Sequence, residues 1–176
     1  EAHRWDNGKV IVEPTYDTVG KTLYTCGICG ATKIEGIEIN IDDNAPTGEI
    51  KWNATLWNDF LSVITFGTYV NYDVTLEITA KDEETGVKSI EYYVSDKALT
   101  LDEVKTLTDW TAYDSANKLT VSAVDAEKFV VYAKITDNKG NVTYLSTDGI
   151  VFDTAAPGLS IEADKGNAQT NVYCSN

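Results

Sequence analysis

Two cysteines separated by two residues are the clearest chemical feature of the sequence. Cys26 and Cys29 flank a Gly-Ile pair, and thiolates at this spacing can bind one tetrahedral Zn²⁺. A structural zinc site needs further ligands, and His3, the single histidine of the chain, is the candidate for the third. A Cys26–Cys29 disulfide or a free dithiol is the alternative if the protein is exported to an oxidising surface. No βαβ pattern surrounds the motif, which disfavours a thioredoxin-type redox role.

Acidic residues in turns offer a second kind of metal site, for calcium. Ca²⁺ takes about six to eight oxygen ligands and is often held by loops. The candidate ligands are Asp42, Asp43, Asn44, Asp82, Glu83, Glu84 and Asp137. None of these stretches follows the EF-hand pattern, and contact with water explains acids in turns equally well. We therefore expect no cofactor, with zinc and calcium kept as alternatives.

The residues that enzymes use for catalysis do not form a recognisable set. A Ser-His-Asp or Cys-His arrangement would depend on His3, close to the first residue. The 28 acidic residues would allow the carboxylate chemistry of glycosidases, but they cluster in turns. No Gly-rich phosphate-binding loop occurs. The sequence thus predicts no catalytic residues and no enzymatic activity.

Charge and hydropathy exclude two classes of partner. The net charge of −14 repels nucleic acids and anionic membranes. No run of about 18 apolar residues is present, so we expect no membrane insertion in this fragment. The three cysteines are too few and too unevenly spaced for a disulfide framework.

Aromatic side chains could bind a carbohydrate if they were exposed. The candidates are Trp52, Trp57, Trp110 and Tyr113. Tryptophan in a β-sandwich is ordinarily a buried anchor of the core, and we favour that interpretation. A contiguous exposed patch of these rings would favour carbohydrate binding instead.

Two similar boundaries divide the chain into modules. Residues 42–46 and 153–157 are both short stretches that begin with Asp and end in Ala-Pro, and a new apolar strand follows each. Their prolines lie 111 residues apart, which is the size of one β-sandwich. We therefore predict a small N-terminal unit at 1–41, a sandwich at 42–157 and the start of a following module at 158–176.

Alternation of apolar and polar residues predicts the strands between these boundaries. Residues 74–79 alternate strictly, and 129–135 form the most apolar run. The side chains expected between two packed sheets are Leu76, Ile78, Val131, Ala133 and Ile135. Thr-Leu-Asp-Glu at 100–103 has capping-box spacing and predicts a short helix over 101–107. The predicted fold is all-β: an immunoglobulin-like antiparallel sandwich with one short helical connection and a small N-terminal β-hairpin unit.

The central part of the chain resembles a known class of module. The stretch from Ala45 to Pro157 is similar to the immunoglobulin-like repeats of cell-surface proteins from Gram-positive gut bacteria of the Firmicutes type. The matching segments are 45–48, 64–67, 86–93, 136–142 and 153–157. Such repeats mostly act as spacers or adhesive stalks, so the resemblance implies an extracellular location at the cell surface or cell wall.

The N-terminal residues resemble a different short repeat of the same kind of protein. The matching features are the segment at 3–10, which begins His-Arg-Trp-Asp, Gly20, and the segment at 24–33, which contains both cysteines. That repeat usually carries a third cysteine where this chain has Tyr16. Because phenol is a poor zinc ligand and His3 lies near a free end, we expect the site to be vestigial and to hold no stoichiometric zinc.

Together these features predict a non-catalytic structural or adhesion module of a multidomain surface protein. Its partners would be neighbouring modules of the same chain and, in the alternative, a glycan or a host surface protein, with the module accessory to a secreted glycan-active enzyme. We expect the chain to be a piece of a longer protein. Residues 158–176 should add nothing to the sandwich, and Cys174 should have no intramolecular disulfide partner.

Overall fold

Strands account for nearly all of the regular structure, as the alternating sequence predicts. The computed structural model describes residues 2–159. The strands are β1 (Lys9–Val12), β2 (Gly20–Thr25), β3 (Thr32–Ile37), β4 (Thr47–Trp52), β5 (Thr55–Trp57), β6 (Thr68–Val70), β7 (Val74–Lys81), β8 (Val87–Ser95), β9 (Thr111–Ala112), β10 (Leu119–Val121), β11 (Lys128–Asp137), β12 (Val142–Ser146) and β13 (Ile150–Phe152). One helix, α1 (Leu101–Lys105), lies between β8 and β9. In the part of the chain so described, no helix is long and apolar enough to cross a membrane.

The N-terminal unit is a three-stranded antiparallel sheet with the order β1-β2-β3. The sequence predicts a hairpin with Val10 and Val12 against Leu23, but the residue directly opposite Leu23 is Lys9. Val10 pairs with Thr22, and Val10 and Val12 are 43% and 38% exposed. The physical reason is that a single small sheet without a second layer has no interior in which to bury alternate residues.

The central part of the chain is a sandwich of two sheets. One sheet has four strands in the order β10-β7-β4-β5, and the other has the order β6-β13-β11-β8-β9, with β12 also paired to β11. All pairs are antiparallel except β6 with β13. The predicted all-β sandwich with one short helix is therefore confirmed.

The core lies between the two sheets and contains the residues that the sequence predicts. Each member of the predicted set is at most 1% exposed: Leu76, Ile78, Val131, Ala133 and Ile135. Ile50 from β4, Leu145 from β12 and Phe152 from β13 complete the contact between the sheets.

A second, smaller core covers the outer face of the larger sheet. Val130 and Tyr132 alternate with the inward residues of β11 and pack with Val104 of α1. The predicted capping box is present, since Thr100 and Glu103 bond reciprocally at the start of the helix. The helix ends at Lys105, earlier than the predicted 107.

The chain enters and leaves the sandwich at opposite ends. Thr47 at the start of β4 pairs with Lys81 at the end of β7. At the same end, the carboxylate of Asp82, which follows β7, lies close to that of Asp137, the last residue of β11. We call this the entrance end. β13 pairs with the first residues of β11, so it finishes at the other end, the exit end, about 30 Å away along the ten-residue β11.

The predicted following module lies almost wholly outside the described residues. Residues 160–176, including Cys174, are not described. Leu159, the last described residue, is 85% exposed.

Candidate functional site

Cys26 lies at the start of the turn that joins β2 to β3, and Cys29 lies within this turn. The N–H of Cys26 donates to the carbonyl of Ala31 (2.8 Å), and the carbonyl of Cys26 accepts from the N–H of Gly30 (2.9 Å). Gly30 has a φ of +73°, a left-handed conformation that glycine adopts at little cost. This tight turn brings Cys29 back beside Cys26, so that the two sulfurs lie close together.

His3 reaches the same turn because the first residues form an additional strand-like segment. Trp5 forms an antiparallel bridge with Cys26, and backbone hydrogen bonds of 3.0 Å lie on both sides of that bridge. The ring of His3 packs against the ring of Trp5, with 4.9 Å between centroids. His3 is therefore held in place by both backbone and side-chain contacts.

The structure brings the three predicted metal ligands together. Nδ1 of His3 lies 3.3 Å from Sγ of Cys29, and the donor atoms of His3, Cys26 and Cys29 all lie within 4.8 Å of one another. Cys26 is buried and Cys29 is exposed. Backbone N–H groups of Cys29 and Ile28, opposed by burial and assisted by His3, lower the pKa of Cys26 from 9.0 to about 6. The turn thus brings two cysteine sulfurs and one imidazole ring together.

Tyr16 lies at the other end of β2 from the cysteines. It sits in the loop before β2, and Cys26 follows the last residue of that six-residue strand, about 17 Å along the sheet. Burial and the neighbouring carboxylate of Glu84 raise the pKa of the Tyr16 phenol. Tyr16 instead contacts the sandwich from the N-terminal sheet. It does not occupy a fourth ligand position beside the cysteines.

The acidic residues considered for calcium meet only in part. Carboxylate oxygens of Asp42, Asp82 and Asp137 lie within 4.8 Å of one another at the entrance end. Asp42 and Asp137 are 8% and 0% exposed, whereas Asp43 is exposed. Glu83 forms an ion pair with Lys81 instead.

Hydrogen bonds from the protein already engage these carboxylates. One oxygen of Asp82 accepts the N–H groups of three consecutive residues, 84–86. One oxygen of Asp137 accepts those of residues 139–141 in the same way. Burial opposes ionisation of Asp137, but the hydrogen bonds outweigh it and lower its pKa below 3.8. These hydrogen bonds hold the conformation of two loops at the entrance end, residues 82–86 and 137–141.

Side chains from these loops connect the N-terminal sheet to the sandwich. Nζ of Lys139 donates to the carbonyl of Tyr16 (2.8 Å) and forms an ion pair with Asp17. Nδ2 of Asn141 donates to the carbonyl of Asp42 (3.1 Å), and Thr85 donates to its carboxylate. No local sequence pattern identifies these residues, because their partners are 43 to 123 positions away.

The four aromatic residues considered for carbohydrate binding pack against the two cores of the sandwich. Trp52, Trp57 and Tyr113 are half-buried against the main core, and Trp110 packs in the second core beside α1. Nε1 of Trp110 donates to the carbonyl of Leu107 (3.0 Å). The predicted role of these rings as anchors is consistent with this packing.

Comparison with known proteins adds no relative. No protein-family model, curated protein or solved structure matches the chain.

Proposed function

We propose that this chain is a non-catalytic structural and adhesion module of a multidomain bacterial surface protein, acting as a spacer between its neighbours. The observation that carries the proposal is that the chain enters and leaves the sandwich at opposite ends. Modules connected in this way add their lengths, at about 30 Å for each sandwich. The resemblance to immunoglobulin-like surface repeats supports the extracellular location.

Both boundaries of the sandwich are fastened to it, which supports a stiff arrangement. At the entrance end, Nδ2 of Asn44 donates to Glu84 (2.6 Å), beside the contacts of Lys139. At the exit end, the N–H groups of Thr154 and Ala155 donate to Asp125 (2.7 and 3.0 Å). A spacer whose boundary segments are held by hydrogen bonds keeps the direction as well as the distance between neighbouring modules.

The strand directions suit a module that carries load. Tension applied to the two chain ends acts along β4 at the entrance end and along β13 at the exit end. Each strand is then pulled along its own axis, so that the hydrogen bonds to its partners are loaded together. Adjacent strands that are pulled apart from one end instead lose their bonds one after another.

The packing of the aromatic rings favours the spacer over a carbohydrate-binding module. Stacking on a sugar requires an accessible ring face, and Trp52, Trp57, Trp110 and Tyr113 are all half-buried in the two cores. The spacer is therefore the function that the geometry supports best.

Single-molecule pulling tests the load-bearing part of the proposal. We expect the sandwich to unfold at a clearly higher force when the whole chain is held by its two ends than when it is held at Glu83 and Lys139. The second geometry is the matched control, because it separates β8 from β11 starting at their paired ends, Val87 and Asp137. Equal unfolding forces in the two geometries would contradict a load-bearing role.

The cellular location needs a separate experiment. An antibody raised against the chain is expected to label intact cells of the bacterium that produces it. Labelling that requires permeabilised cells would contradict the proposed surface location.

A further inference from the structure

We propose that His3, Cys26 and Cys29 form a metal site that binds one Zn²⁺ through three protein ligands and leaves one coordination position open. This proposal is independent of the spacer function, because the three ligands lie in the N-terminal sheet and contact neither core of the sandwich. It reverses the expectation from the sequence that the site is vestigial.

The donor atoms are of the right type and close to the required geometry. Zinc binds thiolate sulfur at about 2.3 Å and imidazole nitrogen at about 2.0–2.1 Å, which places the sulfur and nitrogen of a tetrahedral site about 3.6 Å apart. The observed separation between Sγ of Cys29 and Nδ1 of His3 is 3.3 Å. Since all three donors lie within 4.8 Å of one another, rotation of side chains is enough to complete the coordination.

Binding of a metal by His3 does not require the first residues to be ordered anew, because they are already held beside the cysteines. The bridge between Trp5 and Cys26 attaches the first residues to the turn, and the ring of His3 packs on Trp5. Zinc therefore meets a histidine that is already beside the cysteines.

The resemblance of the N-terminal residues to a surface-protein repeat places a thiolate where this chain has Tyr16. Tyr16 lies at the opposite end of β2, against Glu84, so its identity does not decide whether the three other ligands can bind a metal. The fourth position is instead open to solvent, since Cys29 is exposed. Zinc sites with three protein ligands keep this position for water or for a donor from another molecule.

The charge of the donor set also suits a divalent cation. Two thiolates balance the charge of one Zn²⁺, so that the bound site is neutral apart from its fourth ligand.

Cobalt titration of the complete, reduced and metal-free chain tests the proposal. Co²⁺ in a tetrahedral thiolate site absorbs visible light, whereas hydrated Co²⁺ is almost colourless. We expect one equivalent to produce both the visible bands and the thiolate charge-transfer absorption, and Zn²⁺ to abolish them. Absence of these bands at one equivalent would overturn the proposal.

Three variants identify the ligands. Cys29→Ser and His3→Ala should each weaken binding by at least about 10- to 100-fold, the cost of losing even a supporting group at a metal site. Ile28→Ala is the matched control, because its side chain is 68% exposed and supplies no ligand, and it should bind as the unaltered chain does. Equal affinity of His3→Ala and Ile28→Ala would overturn the role of the histidine.

A fourth variant tests the open position. Tyr16→Cys should leave the cobalt spectrum unchanged, because residue 16 lies about 17 Å from the cysteines along β2. A spectrum with three thiolate ligands would show that residue 16 reaches the metal and would overturn the proposed three-ligand site.

Discussion

Gly48 offers a direct test of how the first strand of the sandwich packs against the facing sheet. A Cβ at this position would overlap Cδ1 of Ile135 and lie 2.8 Å from the carbonyl oxygen of Thr79 and 3.4 Å from Leu145. The end of an isoleucine side chain can move, but the carbonyl of Thr79 belongs to the neighbouring strand β7, to which β4 is hydrogen-bonded. Gly48→Ala must therefore separate the strands or shift the sheets.

The expected cost is that of an overpacked core, about 1–3 kcal/mol. For a domain of this size such a loss lowers the melting temperature by roughly 4–12 °C. Thermal unfolding followed by circular dichroism and by tryptophan fluorescence measures it, and agreement of the two probes supports a two-state comparison.

Gly67→Ala is the matched control for the same chemical change. A Cβ there would meet Oγ1 of Thr65 at 3.5 Å, an ordinary contact. Its stability should be unchanged or higher by about 0.4–1 kcal/mol, because alanine restricts the unfolded chain. If Gly48→Ala and Gly67→Ala melted at the same temperature, β4 could not lie against Ile135 as described.

Two further predictions concern side chains that accept hydrogen bonds from the backbone. Tyr113→Phe should destabilise the sandwich by about 1–3 kcal/mol, because the hydroxyl accepts a hydrogen bond from the N–H of Ile78 (3.0 Å). Denaturant unfolding measures this loss. The control is Tyr69→Phe, whose ring is 65% exposed, and an equal loss of stability in both variants would contradict the prediction. Hydrogen bonds from Thr154, opposed by burial, lower the pKa of Asp125 below its ordinary 3.8. Since the folded pKa is the lower one, this carboxylate stabilises the fold above pH 3.8, and the contribution is lost as pH falls through the folded value. The amide shift of Thr154 should therefore titrate with a midpoint below 3.8 in an NMR pH series, and a midpoint at or above that value would refute the contact.

Much of the sandwich could be predicted from the sequence because its signals are local. A period of two residues identifies one face of β7 and β11 without knowledge of their partners, and both predicted faces are buried. The capping box at Thr100 and Glu103 and the turn at 137–141 depend on residues within four positions of one another. Val10 and Val12 remain 43% and 38% exposed, because alternation buries a face only when a second layer covers it.

The sequence by itself determined which residues could do chemistry, and the tertiary structure decided which of them meet. The spacing of Cys26 and Cys29 is a local property that a tight turn converts directly into proximity. The position of His3 beside them depends on a strand-like pairing across more than twenty residues, and the separation of Tyr16 from them depends on the length of β2. The meeting of Asp42 with Asp82 and Asp137 likewise requires both sheets to be assembled. No periodic pattern in the sequence predicts these contacts, because they form where different strands end.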